Sequence, residues 1–212
     1  MIDLERDNNI IQIGGKASGK TEFCRRVMSW QKPKRCLVLD WHNEYQELDE
    51  VGLNDGFFAN PEDWNGHKRI ALWDKRNNRI EQIRLALDAI KKFTNGLLII
   101  EDANMLTQRL NEDLKDLKDF LPLNKAIKTP LDLCGYLATS RSRRTSIIMN
   151  THCYALLTHP KVGSNFSFLV VRKTPDTVGR YADTLNPNTK REILEAEDIV
   201  RGTLLEQVTI KL

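Results

Sequence analysis

The chain has 212 residues, 41% hydrophobic and 29% charged, a composition that predicts one globular α/β domain over residues 1–212 with room for a proper core. A net charge of +3 with a pI near 8.6 is too mild to mark a nucleic-acid binder by bulk charge, so any such role must rest on local clusters. The four cysteines, Cys24, Cys36, Cys134 and Cys153, show neither C-x-x-C nor zinc-ligand spacing, and no apolar run approaches the roughly 18 residues that span a bilayer; reduced, cytoplasmic chemistry without a membrane segment is expected.

Ile10 to Ile13 is a short apolar strand running into Gly14-Gly15-Lys16-Ala17-Ser18-Gly19-Lys20-Thr21, the pattern G-x-x-x-x-G-K-T. Glycines permit a tight loop whose backbone N–H groups face phosphate oxygens, and the helix that follows presents its positive end to the same anion. In such a cradle Lys20 reaches the β and γ phosphates of ATP, and the Thr21 hydroxyl is a ligand for Mg²⁺.

Further strands are expected at Cys36 to Leu39, Ile70 to Trp73, Leu97 to Ile100, Ser146 to Met149, Phe168 to Val171 and Glu206 to Ile210. Ile80, Ile83, Leu87 and Ile90 recur at three- and four-residue steps, which predicts an amphipathic helix stopped near Asn95-Gly96. Asn111 to Phe120 reads as an exposed helix, and Pro122 to Arg144 as the least regular stretch. The alternation of short strands and helices predicts a mainly parallel central sheet flanked by helices, which with the phosphate loop makes a P-loop NTPase. Two strands lie between the cradle and the acids Glu101 and Asp102, as in motor-type ATPases, so the expected type is RecA-like.

The strand Leu97 to Ile100 ends in Glu101 and Asp102, where an NTPase needs carboxylates. By position Glu101 takes the magnesium role and Asp102 that of the base that polarises the attacking water, although both acids could instead cap a following helix. Asp40 and Glu44, after the second strand, read either as groups near the nucleotide or as turn residues.

Asp40-Trp41-His42-Asn43-Glu44-Tyr45, with the phosphate loop before it and the strand-acid-acid after it, resembles the HerA/FtsK superfamily of DNA-pumping ATPases. Ser146 to His152 is similar to that family's strand ending in a polar sensor, with His152 where the family has glutamine. Pro160, Ser164-Asn165, the passage from Val171 to Arg180 and the ending from Arg191 extend the likeness to roughly residues 9–212. His152 reads as a γ-phosphate sensor through this alignment, or as a plain polar residue at a strand end.

The resemblance implies a homo-oligomeric ring, usually a hexamer, with ATP bound between neighbours, double-stranded DNA through the centre and an arginine donated from the next subunit. Arg180 and Arg172 are the candidates, with Arg141, Arg143 and Arg144 behind them. A chain little larger than the bare motor resembles viral genome-packaging ATPases, which act at a capsid portal or vertex; that implies capsid partners and a place in the host cytoplasm or on the virion. A cellular HerA-like or conjugative DNA-processing motor is the alternative within the family. Lys125, Lys128, Arg141, Arg143 and Arg144 are the expected DNA contacts, on a loop facing the pore.

Two other classes share the cradle. A P-loop kinase would use Arg141 to Arg144 as a phosphate lid, but it needs an acceptor pocket rather than the acid pair; a nucleotide-gated binding protein would bind ATP and turn it over slowly. A GTPase is disfavoured because Asn124-Lys125 is followed by Ala126-Ile127 and not by the guanine-reading N-K-x-D.

Overall fold

A strand buried on both faces of a parallel sheet is mainly apolar with any polar side chain hydrogen-bonded, and Asn9–Ile13 (β1), where Asn9 and Gln12 both donate to buried partners, is buried along its whole length. The computed structural model describes residues 9–53, 66–72, 79–106, 135–152, 165–172 and 207–211. Among these, β1 is joined by Arg35–Asp40 (β2), Asp49–Glu50 (β3), Gly66–Ala71 (β4), Gly96–Ile100 (β5), Thr145–Thr151 (β6), Phe168–Arg172 (β7) and Gln207–Lys211 (β8) in one sheet of order β3-β4-β2-β5-β6-β1-β7-β8. Every ladder is parallel except β7 with β8.

Alternate residues of the central strands feed two cores. Ile10, Cys36, Val38, Leu97, Ile99 and Ile148 meet Phe23, Cys24, Val27 and Met28 of the helix Lys20–Gln31 (α1). Ile11, Leu37, Leu39, Leu98, Ile100 and Ile147 face the other way and meet Ile83, Leu87 and Ile90 of the helix Arg79–Lys92 (α2). Among the described residues one of these two helices packs on each face, and the three- and four-residue spacing expected of α2 is the spacing that packs.

The fourth strand starts earlier than expected, at Gly66 rather than Ile70, and ends at Ala71. Gly66-His67-Lys68-Arg69 hides its strand character because its polar side chains find partners: His67 with the Pro33 carbonyl (3.0 Å), Lys68 with Asp49, Arg69 with Asp40 (3.0 Å). The two-residue β3, charged and exposed, carries no hydrophobic signal at all. The helix expected at 111–120 lies outside the described residues, and the irregular stretch is described only from 135, where a short helical turn over 135–138 packs Tyr136 and Leu137 into the core.

Gly96 is fixed by a close approach. A Cβ there would stand 2.5 Å from the Arg35 carbonyl oxygen, so no larger residue fits beside β2.

Candidate nucleotide site

The insertion of β6 between β1 and β5 brings the carboxyl ends of three parallel strands to one edge of the sheet, where ligands bind in open α/β folds. The loop that leaves β1 turns through left-handed backbone at Ala17 (φ 59°) and Gly19 (φ 83°) before α1 begins. Gly14 N–H donates to the Thr151 carbonyl at 3.2 Å, tying the loop to the end of β6. Beneath it Gln12 donates to Asn150 Oδ1 at 2.6 Å, and Asn150 Nδ2 lies 3.3 Å from Cys24 Sγ, so β1, β6 and α1 share one buried polar seam.

Lys20 is buried and its Nζ donates to the carbonyls of Gly14 and Gly15, both at 2.9 Å; the same Nζ is 3.4 Å from His152 Nδ1. The Thr21 hydroxyl donates to Glu44 Oε2 at 2.5 Å, which leaves its oxygen lone pairs available.

Glu101 is buried at the end of β5, and burial raises its pKa; hydrogen bonds from Tyr45 OH and Asn150 counter this in part, while the charge of Glu44 adds to it. Asp102 follows in left-handed backbone at φ 38°. Burial would raise this carboxyl too, but hydrogen bonds from His152 Nε2 (3.0 Å) and His42 Nε2 outweigh it and hold Asp102 well below the usual carboxylate range. Its hydrogen bond to Asp102 in turn raises His42, against partial burial and with the charges of Asp102, Glu44 and Asp40 adding.

Asp40 organises the connection after β2. Its carboxylate accepts from the backbone N–H groups of His42 (3.2 Å), Glu44 (3.0 Å) and Tyr45 (3.0 Å) and from Arg69 Nη1 (3.0 Å), so it is the turn-former of the loop. Glu44, on the same loop, is the member that reaches the phosphate loop. Arg25 joins α1 to this loop by its bond to Glu47 (2.8 Å) and by lying 5.2 Å over the Tyr45 ring.

The result is a cavity of about 650 Å³ lined by Lys16 to Glu22 together with Arg25, His42, Glu44, Glu101, Asp102 and His152. Hard oxygen donors at Thr21 and Glu101 suit Mg²⁺, and the loop with its buried lysine suits a polyphosphate. Of the residues singled out from sequence, the structure brings Lys16 to Thr21, Glu101, Asp102 and His152 together here. Arg141, Arg143 and Arg144 precede β6 and so sit at the other end of the sheet, where Arg143 donates to the Lys91 carbonyl (2.7 Å) and stacks 5.0 Å over Tyr136. They form no lid on this chain's own cavity. Arg172 ends β7, opposite Gln207, while Arg180, Lys125 and Lys128 lie outside the described residues.

Sequence reasoning used His42 and Tyr45 only as part of the family-like passage, with no role assigned, and passed over Arg25. For Arg25 the available signal was its place one turn after Thr21; for His42 and Tyr45 it was the adjacency of β2 and β5, which sequence does not display.

No protein-family model matches the sequence, and no curated protein sequence matches it. Solved structures do. B204, the DNA-packaging ATPase from Sulfolobus turreted icosahedral virus, superposes with a TM-score of 0.56 at 14% identity, over 89% of this chain and 87% of that one. The genome-packaging NTPase B204 from Sulfolobus turreted icosahedral virus 2 gives a TM-score of 0.53 in its complex with ATP-γ-S, at 14% identity over 97% and 93% of the two chains. Its AMP complex gives the same TM-score at 16% identity over the same shares. The chain is thus built on the α/β P-loop NTPase fold with a RecA-like sheet, and it shares that fold over nearly its whole length with viral genome-packaging ATPases.

Proposed function

We propose that this protein is a Mg²⁺-dependent ATPase that drives double-stranded DNA into a viral capsid, working as a ring of the HerA/FtsK type. The observation that carries the reading is the convergence of the phosphate loop, the Glu101-Asp102 pair and His152 on one cavity, in a chain whose fold matches that of a packaging ATPase over 89% of its length. A kinase reading loses its lid, because the arginines that would supply it stand at the far end of the sheet.

In this reading Lys20 exchanges its two loop carbonyls for phosphate oxygens, and the Thr21 hydroxyl keeps its proton on Glu44 while its oxygen meets the metal. Mg²⁺ with Thr21 and Glu101 as its protein ligands supplies charge neutralisation at the phosphates. Asp102 orients the attacking water. A carboxylate held this low is a poor proton acceptor while both imidazoles donate to it, so its basicity rises only when one of those bonds is released. His152 lies between Lys20 and Asp102, which supports a role for it in coupling phosphate occupancy to that release. An arginine from the neighbouring subunit, Arg180 or Arg172, completes the charge balance.

The test is the steady-state ATPase rate of the purified protein with and without long duplex DNA, together with its mass in solution. DNA-stimulated turnover by a ring-sized assembly supports the motor; a monomer with DNA-independent turnover refutes the coupling while leaving the nucleotide site intact.

A further inference from the structure

The nucleotide cavity accounts for one end of the sheet. At the other end, a second concavity of about 620 Å³ opens where the connection from α1 to β2 passes the starts of β5 and β6. Lys32 and Lys34 line it from one side and Arg144 from the other, with Gln31, Asn95 and Ser146 also on its wall, and among the described residues no acidic one contributes to it. Lys32, Lys34 and Arg144 are exposed, as is Arg141 three residues earlier, and none of the four forms an ion pair with a described residue.

Lys32, Lys34 and Arg35 from one basic cluster and Arg144 from another, far apart in sequence, thereby meet in one groove. The geometry is fixed: Lys32 ends α1 in left-handed backbone (φ 42°) with its N–H on the Met28 carbonyl at 3.1 Å, and Arg144 (φ 52°) is pinned through its carbonyl to Gly96 N–H at 3.0 Å. Trp30, just before the groove-lining Gln31, is 67% exposed and is the large apolar side chain most open to solvent among the described residues.

We propose that this groove is a second anion site, which receives the phosphate backbone of duplex DNA on the face opposite the nucleotide cavity. The argument is one of charge and span. The connections into β2 and β6 are separated by two strand spacings, about 10 Å, over which a duplex presents about six charges. A single small anion would engage one side of the groove only. A polyanion engages both. Contacts of this kind carry no base readout, as a motor indifferent to sequence requires. The identity of the polyanion rests on the motor reading above. Its consequence is that β2, β5 and β6 each link the DNA groove at their amino ends to the catalytic cavity at their carboxyl ends, a strand's length of roughly 20 Å.

The experiment is fluorescence anisotropy of a labelled mixed-sequence duplex titrated with the full chain, between about 50 and 200 mM salt. The variant Lys34→Glu/Arg144→Glu is compared with Arg26→Glu/Arg84→Glu, which makes the same change in net charge elsewhere; Lys34→Gln/Arg144→Gln repeats the test without charge reversal, and melting curves confirm the fold of each. We expect the groove variants to lose about tenfold or more in affinity and about two units of salt slope, and the control to lose neither. Equal affinities and slopes in wild type and groove variants overturn the groove and leave the motor reading standing. If wild type binds polyglutamate through these residues but binds no duplex, the groove serves an acidic protein segment, and both the DNA assignment and the motor reading fall.

Discussion

Burial pushes both Glu101 and Asp102 toward the neutral acid, but only Asp102 has two imidazoles in hydrogen-bonding reach, so the neighbours end on opposite sides of the ordinary carboxylate range. Because the folded chain holds the Glu101 proton more tightly than the unfolded one, its ionisation subtracts stability as pH rises above the unfolded value. Glu101→Gln should therefore abolish turnover yet raise the melting temperature near pH 8 by roughly 2–4 °C, about 1 kcal/mol in a chain of this size, with no gain near pH 4 where both states carry a neutral group. A drop in melting temperature at both pH values would show that the acceptor for Tyr45 matters more than the buried charge. His42 has the reverse sign. Raised by Asp102, it lends stability below its free value of about 6.5 and loses it as pH climbs through the folded value. His42→Gln, which keeps a donor but no charge, should cost more at about pH 5.5 than at about pH 8.5, and paired thermal melts read the difference. An equal cost at both would mean that the imidazole acts only as a neutral hydrogen-bond donor.

At the scale of elements, the connection after β2 binds the site together: Asp40 folds it, and His42, Glu44 and Tyr45 then reach Asp102, Thr21 and Glu101 respectively. The phosphate loop, the acid pair and the strands built from continuous apolar runs were legible in the sequence because each carries its own local signal. The loop's role was not, since it depends on β2 lying beside β5 and on Arg69, from a strand whose polar first half disguises it. Nor was the remoteness of Arg141 to Arg144 from the phosphates, which follows from their standing before β6 rather than after it. The β2–β5 contact can be probed at Gly96. Gly96→Ala drives a methyl into the Arg35 carbonyl, so the strands must part; a loss of about 2 kcal/mol or more by denaturant melt is expected, with ATP affinity falling in step as Glu101 is displaced. Unchanged stability would show that β2 yields there without cost.

For the whole molecule, the question is what supplies positive charge to the open side of the nucleotide cavity. Among the described residues Arg25 is the one arginine that lines it; the hydrogen bond and charge of Glu47 raise its pKa against partial burial, and Glu47 with the Glu44 carbonyl fixes its position on the loop. In our reading the guanidinium that neutralises the transferred phosphoryl comes from outside this described lining, and in the proposed ring, with ATP between subunits, the neighbour would bring it. Lys20→Ala and Arg180→Ala chains should each be inactive alone. Mixed in equal amounts they form a ring in which about one interface in four pairs an intact Lys20 with an intact Arg180, so up to about a quarter of wild-type turnover should return. Recovery at that level places Arg180 in trans. No recovery, with Arg172→Ala rescuing in the same assay, transfers the role to the end of β7; no recovery with either means that each site is completed within its own chain, and the ring loses its catalytic reason.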